Sequence, residues 1–274
     1  MRINPEDAPP WAKRALLSLD REGVNHDWLP DQIDDVLGCG HYGCVYEVPD
    51  ENVVLKLTTD PTEVSFIEKA IDFNEWPDGI VEYYEIRQVD MKFRKRNVYA
   101  IWREAATEVG LKRVYGRPKD WEERDLLNFQ NRLDQFKDHA GRARDSIERK
   151  IKSGQRDEYL ERAEKLKDWA WDYIALEDAE GKRSYGERRK YTRIENLRGV
   201  QRTAASLRAC DMLAEMMYHE HMVSQVGYAL SFYLEKGILL ADVHSDNVGV
   251  VEREDWTIWV ITDPGHALDI RIDE

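Results

Sequence analysis

The sequence predicts an α+β chain, and three observations carry that prediction. Between residues 36 and 102, short apolar runs of β-prone residues alternate with turns rich in Gly, Pro and Asn. From about residue 121 to 235, apolar residues recur at helical intervals among Arg, Lys, Glu and Asp. From residue 238 to 262, further apolar β-prone runs flank a short polar loop.

Taken in order, Pro9-Pro10 precede a short amphipathic helix, Trp11 to Leu19, with Leu16, Leu17 and Leu19 as its anchors. Residues 1–30 read as an appendage packed on the lobe after it. The run Val36-Leu-Gly38-Cys-Gly40-His-Tyr-Gly43-Cys-Val45-Tyr-Glu-Val48 has three glycines at G-x-G-x-x-G spacing. A nucleotide-binding fingerprint of the Rossmann kind would enter a helix here. Instead the chain continues as Val45 to Val48, a turn at residues 49–52, and Val53-Val-Leu-Lys56-Leu, which reads as a hairpin. Lys56, flanked by Leu55 and Leu57, faces the other side of the strand from both.

Asp60-Pro61 reads as the cap and first position of a helix running to about Phe73. It offers Glu63 and Glu68 as partners for Lys56. The short connection favours Glu63, which shares a face with Ile67 and Ala70. Ile80 to Ile86 and Asn97 to Trp102 read as two more strands around a basic turn, completing a five-stranded antiparallel sheet.

Residues 106–200 are dense in charge, with Leu126, Phe129, Leu133, Phe136, Leu160, Leu166, Trp169 and Ile174 at helical intervals. They read as two or three long helices turning at Ser153-Gly154 and Glu180-Gly181, with a mostly solvated face. The basic stretch Arg183 to Arg198 offers a surface for an acidic partner. Gln201 to Glu235 reads as one long amphipathic helix using Leu207, Leu213, Met216, Met217, Val223, Val226, Leu230 and Phe232, stopped at Lys236-Gly237. His219 and His221 on it read as surface residues, because i, i+2 positions face different ways.

Composition limits the function classes. The chain has 274 residues, 42% of them hydrophobic and 34% charged, enough for a core under a heavily solvated surface. A net charge of −14 argues against general nucleic-acid binding. No apolar run reaches the length of a membrane span, and the N-terminus lacks the form of a signal peptide. Cys39, Cys44 and Cys210 form neither a disulfide framework nor a zinc spacing, so a reduced, cytoplasmic protein is expected.

The chemistry-bearing stretch lies near the end. In Gly237-Ile-Leu-Leu-Ala-Asp242-Val-His-Ser-Asp-Asn247-Val-Gly-Val-Val251, a carboxylate and an amide stand five residues apart in a loop between strands. A further arm, Trp256 to Thr262, ends in Asp263-Pro264-Gly265. Asn247 and Asp263 are oxygen donors of the kind a hard divalent cation takes. Asp242 stands where a substrate hydroxyl could give up its proton.

The glycine turn, Lys56, a helix glutamate, Asp242, Asn247 and Asp263, in that order, resemble the protein-kinase-like superfamily. The resemblance covers residues 36–105 and 205–265. It implies a two-lobed fold: an N-terminal extension (1–30), a five-stranded antiparallel N-lobe (31–105), a long charged helical insertion (106–200) and a reduced, mainly helical C-lobe (201–274). It implies ATP and magnesium as the species bound. Gly38, Gly40, Gly43 and Val45 would lie over the nucleotide, and Lys56 with Glu63 would hold the α and β phosphates. The backbone near Glu104 would meet the adenine edge, Asn247 and Asp263 would hold the metal, and Asp242 would accept the hydroxyl proton. The departures are Leu240 and Ala241 for the usual His and Arg, His244 for a frequent Lys, and Pro264 for Phe. Nine residues follow Gly265, which leaves no room for an activation segment and leads us to expect a minimal C-lobe. The expected activity is transfer of the γ-phosphate to a protein hydroxyl or to the protein itself. The alternatives are a nucleotide-binding pseudokinase that recruits a partner through its insertion, and a small-molecule kinase of the aminoglycoside or choline type.

Overall fold

The structure is a computed structural model that describes residues 8–24, 28–30, 36–49, 51–72, 76–107, 121–172, 194–220, 223–253 and 256–272. It is a mixed α/β chain of two compact units. Unit 1 comprises residues 1–76, 80–107 and 250–260; unit 2 comprises 77–79, 108–249 and 261–274. The units cut across the segments drawn from sequence. The N-terminal helix belongs to unit 1, packed on the sheet that follows it as expected, while residues 250–260 join unit 1 rather than the C-terminal part.

Unit 1 is built on one antiparallel sheet. Its strands are β1 (Val36–Cys39), β2 (Gly43–Glu47), β3 (Val53–Thr58), β4 (Tyr83–Phe93) and β5 (Arg96–Glu104), in spatial order β1-β2-β3-β5-β4. The turn between β4 and β5 uses Arg94 and Lys95, both with positive φ. Strand alternation sorts β3 into two faces. Leu55 and Leu57 enter a buried cluster with Tyr46, Ala100 and Trp102, which α1 (Pro10–Arg21) covers with Trp11, Ala12, Ala15, Leu16 and Leu19. Leu17, expected as an anchor, is exposed, because the inward stripe runs through positions 12, 15, 16 and 19. Trp11 stacks on Phe93 at 5.1 Å.

Lys56 points to the other face, toward α2 (Pro61–Asp72). That helix starts as its residues require: Asp60 Oδ1 accepts from the Thr62 N–H at 2.9 Å and from the Thr62 hydroxyl at 2.8 Å.

The β1–β2 register sets Cys39 opposite Cys44, with Cα atoms 4.1 Å apart and the sulfurs bonded. The expectation of three reduced thiols is therefore corrected for two of them, and cysteine usage no longer supports a cytoplasmic location. Only Cys210 is a free thiol; it is buried, and burial raises its pKa well above the ordinary thiol value.

In unit 2, α3 (Trp121–Lys152) lies along α5 (Gly199–Tyr218), and α4 (Arg156–Glu164) packs on both. The Ser153-Gly154 turn forms as expected, with Gly154 at φ 67°. Helix α3 is not a solvated addition. Phe129, Leu133, Phe136, Ala140, Ala143 and Ile147 recur along one side and are buried to within 1%. The turn expected at Glu180-Gly181, Ile174, and the basic stretch up to residue 193 lie outside the described residues.

The expected single helix over 201–235 is two helices, α5 and α6 (Ser224–Glu235). The reason is Gly227. A Cβ there would stand 2.1 Å from the Tyr218 backbone nitrogen, so α6 crosses the end of α5 at a distance only glycine permits. Met216, expected in the core, is exposed beside this break, as is His219; His221 lies outside the described residues.

Strand β6 (Ile238–Leu240) is fully buried and pairs antiparallel with β9 (Ala267–Asp269), while β7 (Val248–Arg253) pairs with β8 (Trp256–Ile261). Among the described residues, no helix is long and apolar enough to cross a membrane.

Candidate functional site

In unit 1, the hairpin of β2 and β3 brings two of the expected groups onto one face. Val45 pairs with Lys56 across the strands, so their side chains stand side by side. From there Lys56 Nζ reaches Glu63 Oε1 at 2.7 Å, with 8% and 2% of the two side chains exposed. Glu68 is exposed, which resolves the choice between the two glutamates.

The glycines differ in what they do. Gly40 N–H donates to the Gly43 carbonyl at 2.8 Å and closes the turn. A Cβ on Gly43 would lie 2.5 Å from the Leu57 carbonyl oxygen, so packing inside the sheet demands glycine there. A Cβ on Gly38 or Gly40 would meet nothing within 4 Å. Protein packing does not require glycine at those two positions; a ligand approaching their backbone closely would.

Glu104 is differently engaged from the adenine-side role expected of it. Its N–H donates to the Glu82 carbonyl at 2.8 Å, and the Ala105 N–H donates to the Asn52 carbonyl. Its buried carboxylate takes two bonds from Arg253, at 3.0 Å from Nε and 2.6 Å from Nη2, while Arg253 also donates to the Ile80 carbonyl. These groups fasten the β7–β8 hairpin to β5, and the Thr107–Val250 backbone pair adds a second tie. Arg253 carries no signal in the sequence, since its partner is remote in the chain.

In unit 2, the loop after β6 carries Asp242, His244 and Asn247, and ends in a short 3-10 turn, Ser245–Asn247. His244 caps that turn by accepting the Asp246 N–H on Nδ1 at 3.2 Å. Asn247 Nδ2 donates to the Asp242 carbonyl at 2.8 Å, which fixes the amide and leaves its oxygen as a donor for a cation. The Thr262 N–H donates to the Asn247 carbonyl at 2.9 Å, so Asp263 follows directly on the residue tied to Asn247. Asp263 Oδ1 accepts the Gly265 N–H at 3.0 Å in a tight turn. An amide oxygen and a carboxylate held this near in the backbone suit a hard cation such as magnesium, which needs only one or two protein ligands when phosphate supplies others. Among the described residues there is no group of three or more His, Cys, Asp or Glu arranged to hold a metal.

Asp242 Oδ1 has a partner that sequence reasoning missed, Lys137 Nζ of α3 at 3.1 Å. Burial of the His244 ring, followed by the nearby Lys137 charge, lowers its pKa below the ordinary histidine value, against the pull of Asp242, Asp246 and Asp263.

The structure thus brings Gly38, Gly40, Gly43, Val45, Lys56 and Glu63 together in unit 1, and Asp242, Asn247 and Asp263 together in unit 2. No family model, curated protein or solved structure matches this chain.

Proposed function

We propose that this chain is an ATP- and magnesium-dependent phosphotransferase of the protein-kinase-like kind. The observation that carries the reading is the buried Lys56–Glu63 ion pair on the strand that follows the glycine turn. A buried ion pair contributes little net stability compared with apolar residues of the same volume, so its presence is better accounted for by a ligand. An ammonium oriented by a carboxylate beside a glycine turn suits the α and β phosphates of a nucleotide.

The unit 2 loop supplies complementary chemistry. Magnesium held by Asn247 and Asp263 would neutralise triphosphate charge. The Asp242 carboxylate orients the acceptor hydroxyl and takes its proton as the new oxygen–phosphorus bond forms and the bond from γ-phosphorus to the ADP oxygen breaks. Such a reaction depends on positioning and charge more than on covalent help from the protein.

The test is label transfer from γ-labelled ATP to the protein itself and to a generic protein acceptor, with and without magnesium. We expect magnesium-dependent transfer that Asp242→Ala lowers by roughly 10²-fold or more. Absence of any transfer or hydrolysis that depends on Asp242 overturns the reading. Magnesium–ATP binding that Lys56→Met abolishes, in a protein without turnover, would leave a nucleotide-binding protein instead.

A further inference from the structure

We infer that Lys137 is a positioning residue for Asp242, so that helix α3 completes the loop after β6. The inference rests on the phosphotransfer reading above. The loop from Ala241 to Asn247 contains two carboxylates, Asp242 and Asp246, and no lysine or arginine. Its histidine is held toward the neutral form by burial and by Lys137. The cation in contact with Asp242 therefore comes from α3, at 3.1 Å.

The helix that carries it is held in place by the core. Lys137 follows Phe136 and precedes Ala140, both fully buried, so the helix cannot rotate the ammonium away without unpacking the unit 2 core. The other side of Asp242 is fixed through its carbonyl, which accepts from Asn247 Nδ2. Backbone and side chain of Asp242 are thus held by two different elements, the one by the loop and the other by α3. A carboxylate that must hold an acceptor hydroxyl in line gains from such orientation, because small misplacements at the reacting atoms cost rate steeply. The ion pair itself is 40% and 32% exposed, so it adds little to stability, and its effect should appear in rate.

The experiment compares Lys137→Met and Lys137→Arg with the wild-type chain in magnesium-dependent transfer from ATP. We expect Lys137→Met to lower kcat by about 10- to 100-fold with KM for ATP within about twofold, and Lys137→Arg to recover most of the loss. In an Asp242→Asn background, Lys137→Met should cost less than about threefold, since the two residues act as a unit. Thermal melting of Lys137→Met should stay within about 2 °C of wild type, which separates a rate effect from misfolding.

A Lys137→Met enzyme with kcat within about twofold of an active wild type overturns this inference alone. So does a loss that is the same size in the Asp242→Asn background. A wild-type protein without transfer overturns the phosphotransfer reading, and this inference with it.

Discussion

Replacing Lys56 by Met strands Glu63 in the interior. Methionine keeps the unbranched stem and nearly the volume of lysine, so little of the cost comes from a cavity. What is lost is the ammonium 2.7 Å from Oε1 of a carboxylate whose side chain is 2% exposed. Removing one partner of a pair this buried costs about 3–5 kcal/mol. Glu63→Gln keeps an acceptor for the lysine and should cost less, about 2–3 kcal/mol. The double variant Lys56→Met/Glu63→Leu removes both charges and should return close to wild-type stability, since buried pairs replaced by apolar residues are neutral or stabilising. In the cycle built on Lys56→Met and Glu63→Leu, singles of about 3–5 kcal/mol each and a double near zero give a coupling of about 6–10 kcal/mol. Because the chain has two compact units, a global melt does not isolate the sheet that holds this pair. Hydrogen exchange of the β3 amides, Val53–Thr58, reports opening of the sheet itself. Single variants that each cost under about 1 kcal/mol, with an additive double, would refute the argument that the pair is desolvated. The same double variant should lose magnesium–ATP binding even though it is stable, which separates the stability role from the ligand role.

Two further outcomes derive from the geometry. Gly227→Ala places a methyl 2.1 Å from the Tyr218 nitrogen and should destabilise unit 2 by about 2–3 kcal/mol or more, measured by urea unfolding; a change under about 0.5 kcal/mol would mean that α5 and α6 do not cross there. In metal-free protein His244 should titrate below its ordinary 6.5, observed by NMR and assigned by loss of the signal in His244→Gln. Because the folded value is the lower one, this residue's contribution to stability is present above about pH 6.5 and is lost as pH falls toward the folded pKa. A midpoint at or above the ordinary value would contradict the burial of the ring.

What can be read from the chain, and what cannot, divides along the range of the interaction. Lys56 is legible because strand alternation alone turns it away from Leu55 and Leu57. Glu63 is legible because the short gap after β3 leaves only the first turn of α2 within reach. The break at 219–223 is not, since the pattern of α6 continues that of α5 and only the tertiary crossing at Gly227 separates them. The Cys39–Cys44 bond depends on hairpin register, which residue spacing alone does not fix. Lys137 carries no local signal, as its partner is far along the chain and lysines on a charged helix are ordinary. The role of α3 is hidden because its apolar stripe is narrow and its remaining positions are charged, which resembles a solvated helix.

That stripe has a practical consequence. Residues 121–152 are a wall along which α5 packs, with the buried Cys210 thiol against the Phe136 carbonyl. Excising the charged segment in the hope of a leaner chain would strip that wall and leave the flank of α5 that faces α3 open to water, with α4 and α6 among its remaining neighbours. The region that looks most expendable by composition is the one that shortened versions of the chain have to keep.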